Sequence, residues 1–167
     1  MRVTSPRRRA ATAVETAIVG SVFFLLLLMI ITGAVLVSRY QMVTGAAREG
    51  ARYASVHGGQ YAADTGNSAA TTTDILNNAI TPMATGLNLT TSNVTVQLKT
   101  WQVNADGSVS PVTLPWDSSD KYPSVVTTSN GAAQTTSVVV TVTYSPGADI
   151  LGTLITLSST TEIPMSY

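Results

Sequence analysis

Residues 16–38 read TAIVGSVFFLLLLMIITGAVLVS and contain no charged side chain. As a helix, the apolar run Ala17–Val37 measures about 31 Å at ~1.5 Å per residue, against a bilayer core about 30 Å thick. No second stretch of the chain comes close, so the sequence predicts a single membrane-spanning helix. Arg2, Arg7, Arg8 and Arg9 crowd its N-terminal flank. Positive flanks stay cytoplasmic, which puts the N-terminus inside and residues beyond about 40 outside. Arg39, Arg48 and Arg52 lie on the far side, with Glu49 offsetting one of them and Tyr40 placed as an interfacial anchor. A cleaved secretory signal would need an apolar run of about 7–15 residues followed by a small-residue cut site. This run is too long and no A-x-A follows at the right distance. A plain membrane anchor accounts for every one of these features except Glu15.

Composition narrows the classes further. The 167 residues are only 11% charged, where ordinary soluble domains carry roughly 25%. The absence of Cys removes disulfides, thiol nucleophiles and Cys-based metal sites, and a single His removes multi-histidine motifs. Net charge is zero overall but divided. Residues 1–56 hold seven Arg and two Glu (+7 − 2 = +5), and residues 57–167 hold two Lys against six Asp and one Glu (+2 − 7 = −5).

Glu15 heads the apolar helix, where anchoring alone calls for no carboxylate. Near the helix N-terminus it suits the macrodipole, and near the membrane face it can snorkel, so taken alone a structural and a functional role stand level. Its context tips the balance. In RRRAATAVETAIVG (residues 7–20), Glu15 is the fifth residue counting Ala11 as first. This resembles the processing site of type IV prepilins, with Ala10 standing where Gly is usual and Thr16 where an aromatic often follows. At the other end of the helix, GAAREGARYAS (residues 45–55) resembles the segment after the membrane helix in TadE-like proteins, minor pseudopilins of the tight-adherence (Flp pilus) system. The resemblance covers residues 7–56 and makes Gly45, Ala47, Arg48, Glu49, Gly50, Ala51, Arg52 and Tyr53 the family segment. It implies a pilin-like α+β fold and cleavage between Ala10 and Ala11 by a prepilin peptidase. It also implies other pilin and pseudopilin subunits and an inner-membrane assembly platform as partners beside the lipid bilayer. After cleavage the new amine of Ala11 and a neighbour's Glu15 would carry opposite charges, and their pairing would offset burial and fix subunit register.

The rest of the chain is read from its periodicity. No breaker interrupts 39–56, so the helix is expected to run from 11 to 56, after a basic leader at 1–10, and to end at His57-Gly58-Gly59. Val43, Ala47, Gly50/Ala51 and Ala54 make a narrow small-residue face, suited to neighbouring pilin helices or to the protein's own sheet. Residues 57–73 read as a flexible polar linker, and 74–167 as an extracytoplasmic α+β domain. There, Thr73 or Asp74 caps a short helix carrying Ile75, Leu76, Ala79, Ile80 and Met83, which Pro82 and Gly86 end or kink. Val94–Trp101 alternates as a half-buried strand, NADGS at 104–108 turns into Val109–Leu114, and Thr136–Tyr144 and Leu154–Ile163 follow. The expectation is an antiparallel sheet of three or four strands on the helices.

Catalytic chemistry finds no foothold. There is no G-x-S-x-G elbow and no phosphate-binding glycine loop. His57 reads as a solvated cap beside two glycines. The DG turn offers Gln102, Asn104, Asp106 and Gly107 as a partial calcium loop, but Thr113 stands where a bidentate Glu belongs. Asp117 and Asp120 read as an acidic surface loop. No catalytic residue, metal site or cofactor is expected, and an acidic outer half speaks against nucleic acid. The sequence therefore points to a non-enzymatic minor pseudopilin in pilus assembly and adhesion. It would sit singly spanning the bacterial inner membrane with its C-terminal domain outside. The alternative is an anchored extracytoplasmic binding module that never joins a pilus.

Overall fold

Helix α1 runs from Pro6 to Val56 in the computed structural model, which describes residues 6–116, 125–127, 131, 133–146 and 155–166. Backbone helix thus begins ahead of Ala10 and Ala11 rather than at them. The chain divides into two units, 1–39 and 40–167. In the first, the apolar side chains from Val14 to Val37 lie open: Phe24 is 64% and Ile30 72% exposed. Within Thr12–Val56 the helix is long and apolar enough to cross a membrane, and its most apolar stretch has no buried residue. Its hydroxyls are handled internally. Thr16, Ser21 and Thr32 each donate at 2.8 Å to the carbonyl four residues back, so these three hydroxyl protons are satisfied within the helix itself.

The second unit contains the last turns of α1. Val43, Ala46, Ala47, Ala51 and Ala54 are fully buried there, packed with Ile75, Leu76 and Ile80 and with the strand residues Val94, Val96, Val138, Val140 and Val142. Small side chains let the helix backbone approach the sheet and the helical turns beside it, and Gly50 sits at one such close approach. A Cβ there would stand 2.9 Å from Ile80 Cγ1 and 3.4 Å from Val140 Cγ1.

After α1 the stretch expected as a flexible linker carries a short helix, α2 (Gly59–Thr65), closed by Gly66 in the left-handed conformation at φ 74°. Ala69 and Ala70 beyond it are buried. Ala70 N–H donates to His57 O at 2.9 Å, and Trp116 Nε1 donates to Ala70 O at 2.8 Å. Polar composition hid these anchors, one of them internal to the stretch (His57 to Ala70) and the other supplied by Trp116, far along the chain.

Helix α3 (Thr72–Ile75) is capped two residues earlier than expected. Thr71, not Thr73 or Asp74, is the N-cap, and Asp74 is the third residue of a capping box. Thr71 Oγ1 accepts from Asp74 N–H at 3.2 Å, while Asp74 Oδ2 accepts from Thr71 N–H at 2.9 Å. A π turn at Leu76–Ile80 follows, then α4 (Thr81–Met83). Pro82 explains the widening: it has no N–H, and its ring crowds the carbonyl of Asn78 four residues back.

The main sheet is antiparallel in the order β2-β1-β5-β6. Its strands are β1 (Val94–Val103), β2 (Val109–Pro115), β5 (Ser137–Tyr144) and β6 (Leu157–Pro164). Two further strands, β3 (Val125–Thr127) and β4 (Ala133–Thr135), form a separate hairpin that the sequence reading did not include. Leu154, expected to open the last strand, lies outside the described residues. The α+β layout is the one expected. Val138, Val140 and Val142 of β5 point into the core at 0% exposure, whereas Val139, Thr141 and Thr143 face the other way.

Candidate functional site

The residues singled out by sequence lie along α1, and the structure separates them into two groups. Ala10, Ala11 and Glu15 fall in the first unit. Glu15 is solvent-exposed and, among the described residues, forms no ion pair. Its neighbours Thr12, Ala13, Thr16 and Ala17 leave only an open surface on that side. Among the described residues nothing engages this carboxylate.

The second group, Gly45–Tyr53, is divided by the helical repeat. Ala47, Gly50 and Ala51 face the protein's own core, together with Ala46 and Ala54. The reading in which this small-residue face seats the chain's own sheet is therefore the one realised here. Gly45 turns elsewhere: a Cβ added to it would meet nothing within 4 Å. Arg48 and Arg52 are exposed on the same side, and Arg52 approaches Glu49 at 3.9 Å. At 77% exposure of the Arg52 side chain, that pair is worth little. Tyr53 leans back on the core, and its hydroxyl accepts from Asn78 Nδ2 at 3.3 Å.

His57 is not the solvated cap expected of it. Its ring is half-buried, stacked on Tyr53 with centroids 4.1 Å apart and an interplanar angle of 15°, with Tyr61 tilted against it at 5.0 Å. Its Nδ1 lies 3.0 Å from Tyr53 O. The spacing Tyr53–His57–Tyr61, four apart throughout, was the signal that could have found this stack. At Gly58, the terminal methyl of Met165 occupies the place a Cβ would take, so the C-terminal segment packs directly on the end of α1. Ser166 N–H then donates to Ser55 O at 3.3 Å.

The partial calcium loop is a hairpin turn that uses its own polar groups. Asp106 Oδ1 accepts from Ser108 N–H at 2.9 Å and from Ser108 Oγ at 2.6 Å, and these bonds hold its carboxyl below the usual carboxylate range. Asn104 Nδ2 donates to Ser108 Oγ at 3.0 Å. Among the described residues no three His, Asp or Glu side chains gather as a metal site would require. Asp117 and Asp120 lie outside the described residues.

One cross-strand cluster escaped the sequence reading. Lys99 Nζ on β1 reaches both carboxylate oxygens of Glu162 on β6 at 3.2 Å, spanning β5, whose Ser137 Oγ donates to Glu162 Oε1 at 2.6 Å. The Ser137 hydroxyl first, then the Lys99 ammonium, hold the Glu162 carboxyl below its ordinary value.

Compared with known proteins, residues 10–52 match the family described as TadE-like protein. The matched span begins at Ala10, includes Glu15 and the apolar run, and stops one residue short of Tyr53. No curated protein and no solved structure matches the chain.

Proposed function

We infer, from a chain that is TadE-like over residues 10–52, that this protein is a minor pseudopilin taking part in assembly of a tight-adherence pilus and so serving surface adhesion. The observation that carries this reading is the extent of the match. It takes in Ala10, Ala11 and Glu15 at one end of the apolar helix and Arg48 to Arg52 at the other. An anchor selected for hydrophobicity alone would need neither end.

In this reading the basic leader holds the N-terminus at the cytoplasmic face, and a prepilin peptidase cuts between Ala10 and Ala11. The amine so created on one subunit pairs with Glu15 of a neighbour. An unpaired carboxylate at a helix centre costs about 2.5–3.5 kcal/mol on insertion scales, less near the interface. Pairing offsets that cost only at one axial offset between helices, and it thereby fixes register. The part of α1 turned away from its own core, with Gly45, Arg48 and Arg52, supplies contact area for neighbouring pilin helices, and the inner-membrane platform and other subunits are the partners. The outer domain contributes shape and contact rather than catalysis.

N-terminal sequencing of membrane-extracted protein tests the first step: the mature chain should begin at Ala11. A chain still beginning at Met1 where a prepilin peptidase is active would favour the anchored binding module instead. Glu15→Ala tests the second step. It should leave insertion unchanged or slightly better while reducing crosslinking to other pilin subunits. Equal crosslinking in wild type and variant, both processed, would remove Glu15 from the assembly role.

A further inference from the structure

We propose that the outer edge of β6 is a strand-pairing surface on which a second copy of this chain docks, β6 against β6, antiparallel and centred on Thr160. The proposal concerns self-association of the outer domain and stands whether or not the chain enters a pilus.

The direction of each backbone group on β6 follows from its pairing with β5. Met165 N–H donates to Thr136 O at 2.8 Å, and the register continues through Val138↔Ile163, Val140↔Thr161, Val142↔Ser159 and Tyr144↔Leu157. Because hydrogen-bonded and non-hydrogen-bonded pairs alternate in an antiparallel ladder, those β6 residues spend their N–H and C=O on β5. Ser158, Thr160 and Glu162 therefore aim theirs away from the sheet, and among the described residues nothing takes them.

The opposite edge is built differently. Trp116 N–H donates to Val96 O at 3.1 Å, and with the register Leu98↔Leu114 and Thr100↔Val112 this turns Val109, Pro111, Thr113 and Pro115 outward. Two of those four are proline and offer no N–H, a familiar way of blunting an edge against pairing. On β6 the only outward-turned proline is Pro164, at the very end. Among the described residues, one edge of the sheet is blunted against pairing and the other carries no partner strand.

The open edge complements itself. Its single charged side chain, Glu162, is already bound by Lys99 and Ser137 of its own sheet. Antiparallel pairing about Thr160 sets Thr160 opposite Thr160 and Glu162 opposite Ser158, giving about six new backbone bonds from three hydrogen-bonded pairs. Centring on Glu162, or pairing in parallel and in register, would bring two carboxylates together. The arrangement closes at two copies, because β2, the edge left free on each side, is the blunted one.

The chain contains no Cys, so any disulfide must come from a residue introduced for the test. Residues opposite one another in a hydrogen-bonded antiparallel pair have Cα atoms about 5.5 Å apart, within disulfide reach. Full-length Thr160→Cys, oxidised mildly in native membranes, should run as a species of twice the chain mass that reducing agent collapses. Thr113→Cys, outward on the blunted edge, should stay single. A Thr160→Cys chain no more crosslinked than Thr113→Cys overturns the proposal, and a crosslink to a different protein overturns the second copy as occupant. Sedimentation of the unaltered full chain in detergent asks the same question without a substitution. Two chains per particle are expected, falling to one in Thr160→Pro, which removes the outward N–H, while Thr160→Val, which loses only the hydroxyl that meets Thr141 Oγ1 at 2.9 Å, should keep two. One chain per particle in the unaltered protein would overturn the pairing.

Discussion

Two glycines five residues apart on α1 show how position decides what a side chain does. Gly50 is pressed against Ile80 and Val140, both fully buried, so Gly50→Val must push a packed core apart. Overpacking of this kind costs about 1–3 kcal/mol, and a lowered midpoint of thermal unfolding would register it. Gly45 meets nothing within 4 Å, so Gly45→Ala should stabilise the helix by about 0.5–1 kcal/mol through backbone entropy alone. If neighbouring subunits approach closely at that point, the same substitution raises stability while lowering pilus formation. Assay of both quantities in one variant separates folding from assembly.

Glu162 supports a pH prediction whose sign follows from its depressed pKa. Ser137 and Lys99 favour the charged carboxylate in the folded protein, so the contribution is complete above the ordinary value of 4.5 and is lost as pH falls below it through the folded-state value. The pair is 43% and 46% exposed, which limits its worth to about 0.2–1 kcal/mol. Glu162→Gln should thus be less stable than wild type at pH 7, and urea melts repeated at successively lower pH below 4.5 should show the gap narrowing. A gap unchanged by acidification would mean that the carboxylate charge contributes nothing.

Among the elements, those whose residues announce their own period were legible. The membrane helix, the β1–β2 hairpin with its NADGS turn, and the Val138–Val142 strand all follow from alternation or uninterrupted apolar length. What stayed hidden depends on partners distant in sequence. Residues 57–73 look like a linker because their own side chains are polar and small, yet Trp116 and the C-terminal segment pin them. Val125–Thr127 and Ala133–Thr135 are too short to carry a period. On α1, sequence spacing found the small-residue face but could not say whether it meets a neighbour or the chain's own strands, since both demand small side chains. The cap of α3 was misplaced because Thr71, Thr72 and Thr73 are alike in type, and only the reciprocal bond from Asp74 distinguishes them. Thr71→Ala should accordingly cost about 1 kcal/mol, the usual loss for an N-cap, whereas Thr73→Ala, at an exposed position, should change stability little. Equal effects from the two would return the cap to Thr73.

For the whole molecule the decisive boundary is the one between residues 39 and 40, because the second unit takes part of its core from the last turns of α1. Val43, Ala46, Ala47, Ala51 and Ala54 are each fully buried in it. A fragment starting at residue 57 or 74, where composition changes, would leave Ile75, Ile80, Val138, Val140 and Val142 facing water. Burial of apolar surface is worth roughly 25 cal/mol per Å², and losing one wall of so small a core leaves too little to offset chain entropy. A fragment of residues 40–167 keeps that wall and discards the exposed apolar stretch before it. Expressed without the membrane segment, 40–167 should be monodisperse or dimeric, β-rich by circular dichroism, and unfold in one cooperative transition. Residues 57–167 should aggregate or show no such transition. Cooperative unfolding of 57–167 with the stability of 40–167 would mean that the helix is only a tether. The reverse outcome makes the stretch of α1 from Tyr40 onward an integral wall of the core of residues 40–167 rather than a tether.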